Sequence, residues 1–185
     1  MLTLPNGLTF LRIVLAPVFL VLYARGDTVR ALAAFAAAAS TDVLDGLAAR
    51  VLSQRSRLGA FLDPIADKFL AACALFALWE RGRLPLWLPL FVVSRDAAQL
   101  IGAAALRTVH RTIPVAPTRI GKYATFSLAA TVVLSLTWEL LAWPAAAVAP
   151  YVAALGLVSA ECVAISFVQY FIFFVRSVRM APYGG

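Results

Sequence analysis

The sequence predicts an all-α protein, an integral membrane bundle of six transmembrane helices forming one domain over residues 1–185. Three observations predict it. Hydrophobic residues make up 63% and charged residues only 14%, with a mean hydropathy of +0.89, a balance no ordinary soluble domain carries. The apolar residues are gathered into six blocks, each approaching the ~20 residues that a spanning helix needs. The links between blocks are short, so successive helices are expected to run antiparallel, and no internal repeat or long linker divides the chain.

In order, the blocks run roughly from Leu8 to Tyr23, Val29 to Ala49, Leu58 to Trp79, Leu84 to Leu106, Ile120 to Trp143 and Pro150 to Val175. Asn6 or Thr9 is placed to cap the first helix. That block leads directly into a multi-span pattern, so it is expected to be a retained helix rather than a cleaved signal peptide. Ala31 to Ala39 is alanine-rich, which suits close helix packing in lipid. Pro17, Pro64 and Pro89 fall inside blocks, where spanning helices accommodate them as kinks. In the fourth block, Ser94-Arg95-Asp96 puts two charges near mid-membrane, where such groups face the bundle interior. Adjacent residues do not share a helix face, so Arg95 and Asp96 are expected to have different partners, chiefly on other helices.

Basic residues set the orientation. With a cytoplasmic N-terminus, the inner links and tail hold nine of them (Arg50, Arg55, Arg57, Arg107, Arg111, Arg119, Lys122, Arg176 and Arg179). The outer links hold four: Arg25, Arg30, Arg81 and Arg83. The excess inside satisfies the positive-inside rule, and all four tryptophans (Trp79, Trp87, Trp138, Trp143) then form an aromatic belt at the outer boundary. The net charge of +7 reads as contact with anionic headgroups rather than nucleic acid, because the basic residues flank apolar segments. Cys73 and Cys162 sit far apart in apolar runs and read as small buried hydrophobes. A single histidine, His110, supports neither zinc nor triad chemistry.

The chain's chemistry is concentrated between Asp42 and Lys68. Asp42 and Asp45 are three residues apart, Asp63 and Asp67 four apart, and on helices each spacing places both carboxylates on one face. The polar run Ser53 to Arg57 turns the chain between them, so the two pairs are expected to converge from neighbouring helices. Four clustered carboxylates near a bilayer need cations to offset their repulsion, and an all-oxygen donor set selects Mg²⁺ or Mn²⁺ before Zn²⁺. Gly46 and Gly59 share stripes with the aspartates and leave room beside them, while Arg50 adds a fork suited to phosphate. Metal, space and a phosphate clamp together point to a metal-held diphosphate.

Asp42-x-x-Asp45-Gly46-x-x-Ala49-Arg50, followed after eight residues by Gly59-x-x-x-Asp63-x-x-x-Asp67, resembles the full signature of the CDP-alcohol phosphotransferases. The resemblance implies a membrane-integral, homodimeric enzyme with two divalent cations, Mg²⁺ or Mn²⁺, held by Asp42, Asp45, Asp63 and Asp67. It implies transfer of a phosphatidyl group from CDP-diacylglycerol to an alcohol, with release of CMP and with Asp67 as base for the acceptor hydroxyl. Gly46, Ala49, Arg50 and Gly59 would then line the CDP-lipid site, joined by Ser56 and by Pro5 and Asn6 of the segment before the first helix. The active site would face the cytoplasm, in a bacterial inner membrane.

Arg111, Arg119 and Lys122 form a basic lip suited to an anionic acceptor. Glycerol 3-phosphate is the first acceptor implied, making a phosphatidylglycerophosphate synthase. The alternative is phosphatidylglycerol, making a cardiolipin synthase, and Ser94-Arg95-Asp96 with Gly121-Lys122 is reminiscent of that branch. Inositol phosphate and serine follow. A cation or proton transporter would explain intramembrane aspartates, but not Gly46, Ala49, Arg50 and Gly59 at fixed offsets.

Overall fold

The computed structural model describes the backbone of residues 4–51, 59–109 and 119–179, and the side chains of 7–41, 62–105 and 119–177. Within these the chain forms six helices: α1 (Leu4–Ala24), α2 (Thr28–Val51), α3 (Gly59–Glu80), α4 (Trp87–Val109), α5 (Arg119–Leu140) and α6 (Ala145–Arg179). Among the described residues, four stretches are long and apolar enough to cross a membrane: Gly7–Ala24, Trp87–Ala105, Arg119–Leu140 and Ala145–Ser177. The other two helices, α2 and α3, are the ones that carry the signature aspartates. This is the architecture of an integral membrane protein. Its flanks fit that reading, with Phe10, Phe126, Tyr151 and Phe171 exposed on the surface.

α1 starts at Leu4, earlier than the predicted Leu8, which places Asn6 and Thr9 inside the helix rather than at its cap. Pro5 is compatible with this, since a first-turn residue needs no helical N–H partner. α1 packs along both α2 and α3, and α3 also touches α4 and α5. Small residues allow the close approach of α1 and α2, with Ala16, Ala31 and Ala38 fully buried. Phe19 joins the two helices by a tilted ring contact with Phe35, at 5.4 Å between centroids. Along α5, the hydroxyls of Ser127, Thr131 and Ser135 are buried and each donates to a carbonyl one turn back, at 3.1, 2.8 and 2.7 Å. A buried polar stripe is thus satisfied within its own helix. Cys73 and Cys162 are free thiols, as the sequence predicts.

Three helices end by the same device. After α1, Gly26 takes φ 85°, its N–H bonds Tyr23 O at 2.9 Å, and the Asp27 N–H bonds Leu22 O at 3.1 Å. Gly82 repeats this after α3, and Ala142, at φ 48°, after α5. A left-handed residue with paired back-bonds caps the last carbonyls and reverses the chain. All three turns lie at the end opposite the aspartates, where Arg81 crosses between helices. Its Nε donates to Tyr23 O at 3.1 Å, its guanidinium lies 5.3 Å from the Tyr23 ring, and Nη1 is 3.8 Å from Glu139 Oε1. Glu139 thereby has an arginine partner near the end of α5.

The same end corrects the aromatic belt. Trp79, Trp87 and Trp143 are exposed, but Trp138 is buried. Its indole N–H donates to Trp143 O at 2.9 Å, and the Arg83 guanidinium stacks 3.9 Å from its ring. Cation–π pairing and a satisfied indole N–H turn it into an internal strut.

Gly26 and Gly7 should respond oppositely to substitution. A Cβ on Gly26 meets Arg81 Nη2 at 3.1 Å in a left-handed conformation, whereas one on helical Gly7 meets nothing within 4 Å. Gly26→Ala is expected to cost about 1–2 kcal/mol. Gly7→Ala is expected to gain about 0.5–1 kcal/mol. Unfolding midpoints in detergent check both signs.

Candidate functional site

Asp63 and Asp67 lie one turn apart on α3 and both turn toward α1. The Thr9 hydroxyl donates to Asp63 Oδ1, and Arg12 Nη1 donates to Asp67 Oδ1. Arg12 is the largest fully buried side chain described, 1% exposed, while Asp67 is 50% exposed. The Arg12 Nε donates to Thr41 Oγ1 at 3.2 Å, and that hydroxyl in turn donates to Ala38 O at 2.6 Å. One guanidinium therefore reaches α3 at Asp67 and α2 at Thr41, the residue immediately before Asp42. An arginine at the centre of a spanning helix costs roughly 2.5–3.5 kcal/mol unless it is paired. Here the cost is offset by a carboxylate and a hydroxyl.

Asp42, Asp45, Gly46, Ala49 and Arg50 fall on the C-terminal part of α2, and Gly59 opens α3, but their side chains lie outside the described residues. Pro5 and Asn6 fall in the first turn of α1, again without described side chains, and Ser56 and Arg111 lie outside the described residues altogether. Among the described residues no group of three His, Cys, Asp or Glu gathers as a metal site. Asp63 and Asp67 supply oxygen donors alone, the chemistry that hard divalent cations take.

Lys68 follows Asp67 on α3 and turns the other way, toward α4. Its Nζ lies 2.7 Å from Asp96 Oδ1 and 3.4 Å from Gln99 Oε1. Asp96 also accepts from Arg95 Nη1 at 2.7 Å. Arg95 and Asp96 do have the separate partners expected on other helices, Ser166 and Lys68, and they also pair with each other, which the sequence reading does not foresee. Face rules describe where Cβ atoms point, and an arginine is long enough to fold back onto its neighbour. Arg95 does reach another helix as well, donating to Ser166 on α6 with its guanidinium 5.9 Å from the Tyr170 ring.

Lys68, Arg95, Gln99, Lys122 and Tyr170 line a cavity of about 510 Å³ between α3, α4, α5 and α6. Three cationic side chains line it, and the carboxylate of Asp96, outside the lining, pairs with two of them, Lys68 and Arg95. Lys122 is one of the three cationic residues in its lining. Arg119 is exposed at the start of α5 and is not in that wall. The sequence offers Thr9 only as a helix cap and assigns no site role to Arg12 or Lys68. The only signal for Arg12 was a charge inside an apolar block.

Comparison with known proteins places these residues in context. Residues 2–176 match the family model described as CDP-alcohol phosphatidyltransferase. A probable cardiolipin synthase (CMP-forming) of Drosophila melanogaster is 36% identical over 162 residues, covering 77% of this chain and 50% of that protein. The human cardiolipin synthase (CMP-forming) is 41% identical over 122 residues, covering 65% and 40%. The CDP-diacylglycerol–glycerol-3-phosphate 3-phosphatidyltransferase of Pseudomonas fluorescens is 46% identical over 94 residues, covering 49% and 48%. The chain thus spans about half or less of the length of these curated relatives.

Arg12→Met should lower stability by about 1.5–3 kcal/mol, the range for losing hydrogen bonds to charged groups. The figure stays modest because Asp67 is half exposed and water can take over. Arg12→Lys should recover only part of the loss, since one ammonium lacks the fork that reaches Asp67 and Thr41 together. Thermal unfolding of the two variants in one detergent measures the difference.

Proposed function

Because the chain belongs to the CDP-alcohol phosphatidyltransferase family, we propose that it moves a phosphatidyl group from CDP-diacylglycerol to an alcohol carrying a glycerol phosphate, releasing CMP. The observation that carries this reading is Asp63 and Asp67 held side by side on α3 by α1, next to a cavity lined by Lys68, Arg95 and Lys122. In this reading all six helices span the membrane, the aspartate-bearing end is cytoplasmic, the membrane is a bacterial inner membrane, and the working form is a homodimer.

The donor chemistry fits divalent cations, since the two described aspartates and the two on α2 offer only carboxylate oxygens. Two such ions, Mg²⁺ or Mn²⁺, held by Asp42, Asp45, Asp63 and Asp67, would supply charge neutralisation to the diphosphate and the departing CMP. Arg50 adds positive charge at the phosphates, and Gly46, Ala49 and Gly59 leave room for cytidine and diphosphate, with Ser56, Pro5 and Asn6 beside them. Thr9 and Arg12 position Asp63 and Asp67. The acceptor hydroxyl oxygen forms the new bond to the phosphatidyl phosphorus, its proton passes to Asp67, and the phosphorus–oxygen bond to CMP breaks with the electron pair leaving on CMP. Lys122, Arg119 and Arg111 draw in the acceptor's phosphate.

Glycerol 3-phosphate is the simplest acceptor of this chemistry. Phosphatidylglycerol, which presents the same glycerol phosphate on a diacyl tail, is the second reading, and the names of the Drosophila and human relatives favour it.

CMP release is expected to require Mg²⁺ or Mn²⁺ and to stop in excess EDTA; full activity in chelator contradicts the metal reading. Asp67→Asn keeps the side chain's shape but cannot take the proton. It should slow turnover by roughly 10²–10⁴-fold while much CDP-lipid affinity survives. Asp42→Asn should weaken metal and CDP-lipid binding together. Calorimetric binding beside CMP release separates the two, and equal binding losses would make Asp67 chiefly a ligand. Neutralising Arg111, Arg119 and Lys122 together should raise the acceptor KM more than the CDP-diacylglycerol KM. Unchanged acceptor kinetics would leave them as topology signals.

A further inference from the structure

The basic cavity does not end at its polar wall. Gln99 and Tyr170 also line a second, apolar cleft of about 380 Å³ between α4 and α6. Its walls are phenylalanines of α6 (Phe167, Phe171, Phe173, Phe174) against small residues of α4. Gly102 shapes that wall, where an added Cβ would stand 3.7 Å from the Phe174 ring. A cationic chamber thus adjoins, at two shared wall residues, a hydrocarbon-lined slot, a shape matched by an amphiphile with an anionic head.

The head chamber also carries unspent hydrogen-bonding capacity. Among the described residues, Arg95 Nε and Gln99 Nε2 are buried donors with no hydrogen-bond partner. The Arg95 side chain is only 9% exposed, so its orphaned N–H has little access to bulk water. Buried donors left unmade are costly, and a pair of them on an anion chamber points to a ligand with acceptor oxygens. Lys68 and Arg95 share the single carboxylate of Asp96, which leaves net positive charge facing the space.

Two neighbouring faces of α3 give this amphiphile and the donor lipid different walls that meet at Asp67 and Lys68. Asp63 and Asp67 turn toward α1, with the nucleotide signature on α2 and α3, whereas Lys68 turns toward α4 and the basic chamber. We propose that the α4–α6 cleft seats an acyl chain of the acceptor, so that the acceptor is a glycerophospholipid with an anionic phosphodiester head and a head-group hydroxyl. Its phosphodiester lies among Lys68, Arg95 and Lys122, and its hydroxyl approaches Asp67. The transfer step is the one given above, with the acceptor oxygen supplied by a lipid. A soluble acceptor such as glycerol 3-phosphate would fill the chamber and leave the cleft unused. This inference rests on the phosphatidyltransferase reading.

The test uses purified protein in mixed micelles with CDP-diacylglycerol and Mg²⁺, offered glycerol 3-phosphate, dihexanoyl phosphatidylglycerol or dioleoyl phosphatidylglycerol. The dioleoyl lipid is expected to give the highest kcat/KM for CMP release. Gly102→Leu, which fills the cleft, should raise the KM ratio of dioleoyl to dihexanoyl acceptor by about tenfold, the scale of a misfitted apolar pocket. Phe171→Ala, altering an exposed wall, should shift the same ratio in the same direction, and it serves if Gly102→Leu does not fold. Photolabelling with a phosphatidylglycerol bearing a diazirine in its acyl chain should mark residues 98–103 and 167–174. CMP release with glycerol 3-phosphate alone, unchanged KM ratios in both variants, or label spread evenly over the apolar flank would each overturn the acyl site while the phosphatidyltransferase reading stands. No CMP release with any acceptor would instead remove that reading, and the acyl site with it.

Discussion

The site depends on a buried guanidinium. Arg12 sits in the interior of an apolar helix and holds Asp67 of α3 with one nitrogen and Thr41 of α2 with another. Because α1 packs on both helices, this one side chain sets how the end of α2 that carries Asp42 and Asp45 stands relative to Asp63 and Asp67. A charge in that position is tolerated only while it is paired. Its pairing thus turns a penalty into a constraint on three helices. Thr9, one turn earlier, adds a second tie from the same helix to Asp63. The opposite end of the bundle is fixed by different means. Arg81 and Arg83 are held there by Glu139, Tyr23 and Trp138, under three left-handed turns.

α3 divides the chemistry. Consecutive residues Asp67 and Lys68 point to different neighbours, the first to α1 and the second to α4. A carboxylate face toward α1 thereby adjoins a cationic face toward α4 on the same helix. In the proposed reaction, opposite charges at adjacent helical positions let one helix contribute to holding both the diphosphate and the acceptor. In-line displacement requires the two substrates to meet at one phosphorus, with the acceptor oxygen opposite the departing CMP.

Much of this was legible in the sequence, for identifiable reasons. The six helices follow from runs of apolar residues, a signal that needs no partner to be read. The spacing of Asp63 and Asp67 is likewise local, and the helix places them one turn apart as the spacing requires. What escaped was non-local. Arg12 and Asp67 are 55 residues apart, Lys68 and Gln99 31, and Arg95 and Ser166 71, and no periodicity links such pairs. Thr9 was read as a cap because its residue type favours caps, whereas a carboxylate on another helix claims its hydroxyl. Trp138 was read as a belt residue from its position near a helix end, where Arg83 and the Trp143 carbonyl draw it inward.

The central claim is that the aspartate-bearing end breaks the bond between CMP and the phosphatidyl phosphorus and gives that phosphorus to an alcohol. Labelling CDP-diacylglycerol at the phosphatidyl phosphorus and following the label in the presence of Mg²⁺ and phosphatidylglycerol tests it most directly. The account predicts that the label enters one new glycerophospholipid while unlabelled CMP appears in equal amount. Label appearing in a nucleotide or in inorganic phosphate, or a new lipid formed without it, would contradict the account.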